Sequence, residues 1–296
     1  MAVLVAGYVI GRGSSTPAPV AKMRTGLVSA NVVLTYPAPW RRVASAPEIP
    51  GLSIVNPIGM APGDGRKAGL VVGQLPGGEP SPLPARFLAG LRARPAGEVV
   101  NLTETQAYRY SSLSVPGFEP TVTLYSIPNS GGKPTALACY ATTARSADLR
   151  ACEQIVATLT LAGQPPSYAL APDSGYARAV DAAIAELEGQ RVALRRALAR
   201  DVSPADAGRL ATRSAQGFAR AAAAVSGLEP AATAGRAQDG LLRSLGQARD
   251  AYTALAAAAS SRDRAGYASA RTRVYEAEAG VDAALESFVL LGYKRS

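Results

Sequence analysis

With 296 residues and 48% hydrophobic content, the chain is long enough for two domains and too apolar for a disordered one. Its net charge of +9 is spread out, with 14 basic and 8 acidic side chains in residues 1–172 and 17 and 14 beyond; neither part has a basic run interleaved with aromatics, so nucleic acid is not an expected partner. The sequence has no histidine, which removes Ser-His-Asp and Cys-His catalysis, HExxH zinc sites and any imidazole pH switch.

Ala2 to Ile10 is an uncharged apolar run, shorter than the roughly 20 residues that a bilayer span requires. Its basic neighbours Arg12, Lys22 and Arg24 follow it rather than precede it, Pro19-Val20-Ala21 makes a poor small-x-small cleavage site with proline at the −3 position, and there is no lipobox cysteine. The run reads as part of a longer signal anchor, with a short buried strand or a frayed tail as the alternative. The Ser/Pro-rich stretch from Gly11 to Ala21 then reads as a flexible linker. Residues 1–25 are therefore expected to tether the chain to a membrane.

Leu27 to Tyr36 has the composition of one strand, and Pro39-Trp40-Arg41-Arg42 reads as the turn that follows. Ile49 to Ile54 is a candidate short strand. Ala68 to Leu75 is a continuous apolar run bounded by Gly and Pro, as a central buried strand would be. A short helix is expected over Pro82–Leu91. Two-residue alternation follows between Glu98 and Leu113, and two further strands are expected at Thr121–Ile127 and Thr135–Ala141. The intervening Pro128-Asn129-Ser130-Gly131-Gly132 suits a hairpin turn. Ser146 is a good N-cap with Asp148 in the first helical turn. Leu149, Cys152, Ile155, Val156 and Leu159 then recur at helical spacing, which puts Cys152 on a buried stripe. The pattern predicts an antiparallel-rich α/β sandwich over residues 26–162.

Cys139 and Cys152 are the only cysteines. One ends the last apolar strand and the other lies on the following helix, so a helix packed back across its sheet can join them. The bond would close a loop of about 14 residues, worth roughly 3 kcal/mol in the chain-entropy account. Two separate buried thiols are the alternative. Two cysteines without histidine make a poor zinc ligand set, and no redox CxxC is present.

The segments VVLTYPAPWRRV, RKAGLVVG, AYRY (107–110) and CYATTARSADLRACEQIVATL give residues 26–162 a resemblance to the PsbP-like family, in particular to the LpqN-type lipoproteins of actinobacteria. That resemblance implies an α/β/α sandwich and a non-catalytic assembly or binding role. The chain departs from the LpqN type in lacking a lipidated cysteine, and no metal-binding or partner-binding residue carries over.

Residues 163–173 read as a Gly/Pro linker, and residues 174–296 as wholly helical. Val180, Ile184, Leu187, Leu194 and Leu198 form one seam. Ser203-Pro204-Ala205-Asp206 opens a second helix with an N-cap, proline at N1 and an acid at N3. Leu241, Leu245, Ala248, Tyr252 and Leu255 mark a third helix. Asp263 caps a fourth that carries Val274, Val281, Leu285 and Phe288. Short connections predict an up-down antiparallel four-helix bundle. The chain as a whole is thus expected to be α+β, a sandwich followed by a bundle.

Three constellations stand out. Arg191 and Glu278 fall on the seams of the first and fourth helices, where antiparallel packing would set them within a turn of each other. They are a candidate buried ion pair, unless Arg191 snorkels to the bundle edge. Tyr108 and Tyr110 share one strand face opposite Arg109 and are either core packing or a ligand groove. Trp40 and Arg41 offer a candidate partner contact, unless Trp40 plugs the core. Gly11-Arg12-Gly13 and Gly131-Gly132-Lys133 are too short for phosphate loops.

The expectation is a non-catalytic, membrane-tethered module of the bacterial cell envelope that binds another envelope protein or polymer and needs no cofactor. The alternatives are a carrier of a small apolar ligand and a carboxylate-dependent hydrolase or transferase.

Overall fold

The computed structural model describes residues 23–29, 32–79, 81–129, 132–144, 146–162, 169–198 and 203–294. The apolar run at the N-terminus, and with it the expected anchor, lies outside the described residues. So do residues 163–168 of the expected linker.

The α/β unit is built on a seven-stranded antiparallel sheet. Its strands run in the order β3 (Trp40–Arg42), β4 (Val55–Pro62), β5 (Gly69–Gln74), β9 (Thr135–Ala141), β8 (Phe118–Ile127), β7 (Gln106–Val115) and β6 (Glu98–Asn101). β5 and β9 pair in the middle from Gly69↔Tyr140 to Gln74↔Thr135. Both are apolar on alternate residues in both directions because both faces of the sheet are covered. Leu70, Val72, Leu137 and Cys139 face one layer, and Val71, Ala136, Ala138 and Tyr140 face the other.

The first layer holds α2 (Ala147–Ala157) and a three-stranded sheet of β1 (Met23–Ser29), β2 (Val32–Pro37) and β10 (Thr160–Leu161). Ser146 caps α2, its hydroxyl accepting from the Leu149 N–H at 3.1 Å. The second layer holds the 43–54 loop, α1 (Ala85–Gly90) with Phe87 and Leu88 buried, and then one end of the helical bundle.

Three expectations about this unit change, and one strand is added. Leu27 to Tyr36 is not one strand: β1 and β2 pair antiparallel, Leu27 opposite Val33. Trp40–Arg42 is a strand rather than a turn, paired with β4. Ile49–Ile54 forms no strand; the strand is Val55–Pro62, hidden by Pro57, Gly59 and Pro62. A register irregularity between Val55 and Ile58 accommodates Pro57, and Asn56 takes φ 51°. Gly59 is required there, because a Cβ would meet the Val43 side chain at 2.5 Å. β10 has no signal of its own in sequence and forms by adding two residues to β2.

The C-terminal bundle comprises α3 (Ser174–Leu198), α4 (Pro204–Ser226), α5 (Gly235–Ser260) and α6 (Arg264–Leu290). Ser203 and Asp263 cap α4 and α6, accepting from the N–H groups of Asp206 and Gly266. The core includes Val180, Ile184, Leu187, Phe218, Leu241, Leu245, Tyr252, Val281 and Leu285, with Phe218 stacked on Tyr252 at 5.5 Å. Alanine at positions such as 211, 221, 248 and 259 lets the backbones approach closely while keeping helix propensity high.

The bundle is docked end-on to the sheet. The Tyr110 hydroxyl donates to the Leu290 carbonyl at 2.7 Å, and the Gly97 N–H to the Val289 carbonyl at 3.0 Å. Leu170, in the expected linker, is buried, and its N–H donates to the Gln106 side chain at 2.8 Å. Gly97 must be glycine, since a Cβ would lie 2.0 Å from the Leu290 carbonyl oxygen. One continuous hydrophobic core therefore runs from the sheet through Leu290, Leu291 and Tyr293 into the bundle.

Candidate functional site

Cys139 and Cys152 are disulfide-bonded, with Cα atoms 5.8 Å apart. Both are fully buried among Leu70, Leu137, Leu149 and Val156. The bond ties the central strand β9 to α2.

Arg191 is only 2% exposed, and its Nη2 lies 3.4 Å from Glu278 Oε2. Its Nη1 reaches Asp282 at 3.1 Å and also contacts Glu188. Glu278 in turn accepts from the Tyr252 hydroxyl at 2.6 Å. Burial opposes the Arg191 charge, but the carboxylates of Asp282, Glu278 and Glu188 outweigh it and hold the pKa above the ordinary guanidinium value. One buried cation facing three carboxylates, one of which also accepts from a phenol, is a strut between α3 and α6.

The candidate binding surface at Trp40, Arg41, Tyr108 and Tyr110 does not form. Trp40 is buried with Leu34, Met60 and Leu70 because β3 turns its first side chain inward. Arg41 alternates outward, is exposed and donates to the Gly63 carbonyl at 3.1 Å. Tyr108 and Tyr110 face the bundle, their hydroxyls donating to the carbonyls of Leu170 and Leu290. They serve the junction between the sheet and the bundle, where Tyr108 also lines a cavity of about 180 Å³ with Pro82, Pro134, Arg236 and Leu291.

The opposite face of the same strand carries a polar cleft. Arg109 and Tyr125 are directly opposed on β7 and β8. Arg109 Nη2 donates to Glu153 Oε1 of α2 at 3.0 Å, and its Nη1 lies 3.7 Å from Glu98. Val100, Leu102, Arg150 and Gln154 complete an open cleft of about 370 Å³. Burial pushes the Tyr125 phenol up to about 12, the Glu153 carboxylate adds to the rise, and Arg109 partly offsets it. Glu98 and Glu153 converge here, but a guanidinium stands between them. Sequence reasoning missed the cluster because it needs three elements at once. The available signal was Arg109 alternating away from the two tyrosines toward the side of the helix that carries Cys152 and Glu153.

Elsewhere in the α/β unit the acids are surface partners: Asp64 pairs with Arg66 at 2.6 Å and Glu119 with Lys67 at 2.7 Å. Among the described residues no group of three or more metal-ligating side chains converges, and no helix is long and apolar enough to cross a membrane.

No protein-family profile and no curated protein matches the chain. Among solved structures, it is similar to the solution structure of the cyanobacterial PsbP protein CyanoP from Synechocystis. That match has 14% identity and a TM-score of 0.33, covering 52% of this chain and 98% of the other. It is also similar to a crystal structure from Bacteroides thetaiotaomicron at 10% identity and a TM-score of 0.28, covering 74% and 73% of the two chains. Superpositions this loose carry no functional argument; the fold class stands on the sheet order and the four helices themselves.

Proposed function

We propose that the chain is a non-catalytic binding or assembly module of the bacterial cell envelope, working outside the cytoplasm with its N-terminal segment at the membrane. The observation that carries this reading is the buried Cys139–Cys152 bond. Glutathione and thioredoxin keep cytoplasmic thiols reduced, so a structural disulfide in an ordinary bacterial protein favours an oxidising compartment. The layer order supports it further. β1 lies on the face of the large sheet that carries α2, and the bundle lies on the other. A tether entering through β1 would leave the bundle directed away from it.

The test is fractionation of the native host, with thiol labelling of the denatured protein before and after reduction. Recovery in the envelope fraction with both thiols labelled only after reduction is the expected result. A cytoplasmic protein with two thiols free before reduction overturns the reading.

A further inference from the structure

Charge along the bundle is polarised. Arg191, Gly217, Tyr252 and Glu278 mark one layer across the four helices. Between that layer and the sheet, residues 174–191, 217–252 and 278–290 hold nine acidic and six basic side chains. Beyond it, residues 192–198, 203–216 and 253–277 hold eight arginines and three acids. α6 spans 27 residues from the basic end to the sheet, so that end stands roughly 40 Å from the α/β unit. Arg196, Arg209 and Arg213 are exposed there, as are Arg262, Arg264, Arg271 and Arg273 around the start of α6.

α6 arranges part of this charge into a line. Arg264, Tyr267, Arg271 and Tyr275 follow one another at steps of three and four residues, which sets them on one face over about 16 Å. Tyr275 is 62% exposed, more than any other large hydrophobic side chain described. Packing does not explain it, because Ala270, Val274 and Glu278 already supply the buried side of the helix. The Arg271 guanidinium lies over its ring, 5.9 Å from the centroid. This interleaving of arginine and tyrosine is invisible as a sequence run and exists only at helical spacing.

We propose that this face of α6 binds an anionic glycan, a linear polymer of sugar rings carrying carboxylate, phosphate or sulfate groups. Guanidinium forks match such groups bidentately, and the exposed Tyr275 ring offers a flat apolar platform for the face of a sugar, with Tyr267 half-buried beneath the line. A bilayer surface fits less well, since binding there scales with buried apolar area and the line contains no aliphatic side chain. Preference for a glycan over a nucleic acid rests on the extracytoplasmic reading above.

The experiment titrates the full chain with three probes. These are a heparin oligosaccharide, an oligothymidylate of matched charge, and mixed phosphatidylcholine–phosphatidylglycerol vesicles. Heparin is expected to bind most tightly, with affinity falling as salt rises. Arg264→Ala with Arg271→Ala should weaken it about tenfold through the loss of two ionic contacts. Arg236→Ala with Arg243→Ala, the same charge loss on the acidic half, should change it less than about twofold. Tyr275→Phe should retain binding, and Tyr275→Ala should lose about threefold. Equal losses in the two double variants, or tighter binding of the oligothymidylate or the vesicles, overturns the inference. An exported chain that ignores heparin overturns this inference and leaves the export reading intact. A cytoplasmic chain with free thiols that prefers oligothymidylate overturns both.

Discussion

Replacing Arg191 by methionine tests the bundle's centre most severely. Arg191 and Glu278 are both buried, and the Arg191 guanidinium faces the Glu278 carboxylate. Removing one partner of a buried ion pair typically costs 3–5 kcal/mol, so about 4 kcal/mol is the expected loss for Arg191→Met. For a unit of this size each kcal/mol moves the melting temperature by roughly 4 °C, so the bundle's transition should fall by about 12–20 °C. Glu278→Gln should cost less, about 1–2 kcal/mol, because Arg191 keeps Asp282 and Glu188. The double variant Arg191→Met with Glu278→Met removes both charges and should recover most of the loss, since an apolar pair of similar volume is often neutral or better.

The assay is calorimetry and far-UV circular dichroism of the parent, both singles and the double. A loss below about 1 kcal/mol for Arg191→Met, or a double variant as unstable as the sum of the singles, would refute the assignment of Arg191 as a buried counter-charge.

Three further outcomes follow from other parts of the molecule. Replacing both Cys139 and Cys152 by alanine should lower stability by roughly 3 kcal/mol, read as a shift in the denaturant midpoint of the α/β unit; an unchanged midpoint would remove the bond's structural role. Gly97→Ala cannot keep the present junction, because its Cβ would sit 2.0 Å from the Leu290 carbonyl oxygen. It should raise hydrogen exchange at the Gly97 N–H and the last turn of α6, at a cost of roughly 2–4 kcal/mol, while the bundle core stays protected; unchanged exchange contradicts the docking. Tyr125, held near a pKa of 12 by burial and by Glu153, should stay protonated in an alkaline spectrophotometric titration well after an exposed phenol has ionised. A raised phenol pKa stabilises below its unfolded value, about 10, and that contribution disappears between pH 10 and 12, so alkaline unfolding should begin there; Glu153→Gln removes one cause of the rise, so the Tyr125 titration should move to lower pH and its alkaline destabilisation should shrink.

Much of the architecture was legible without coordinates because its signals are local. Ser146, Ser203 and Asp263 announce helices through their own hydroxyl or carboxylate geometry. The apolar run over Ala68–Leu75 announces a strand buried on both faces. Spacing alone aligned Arg191 with Glu278. The failures share a cause. Val55–Pro62 breaks the local grammar of a strand, with two prolines and a glycine, and is a strand only because β3 and β5 flank it. β10 exists only because β2 lies alongside.

Sequence by itself determined the helices that Ser146, Ser203 and Asp263 cap, the central strands over Ala68–Leu75 and Thr135–Ala141, that Cys139 and Cys152 lie within one strand–helix unit, and that histidine-based chemistry is excluded. These follow from backbone preference, periodicity and composition, each a property of neighbours along the chain. Tertiary structure alone decided that the sulfurs are joined, that Tyr108 and Tyr110 dock the bundle, and that Arg109, Tyr125 and Glu153 meet. It also decided that Arg196, Arg209, Arg213, Arg264, Arg271 and Arg273 gather at one end. Each of these depends on which surfaces exclude water from one another, and residues far apart in sequence settle that only once the core has closed.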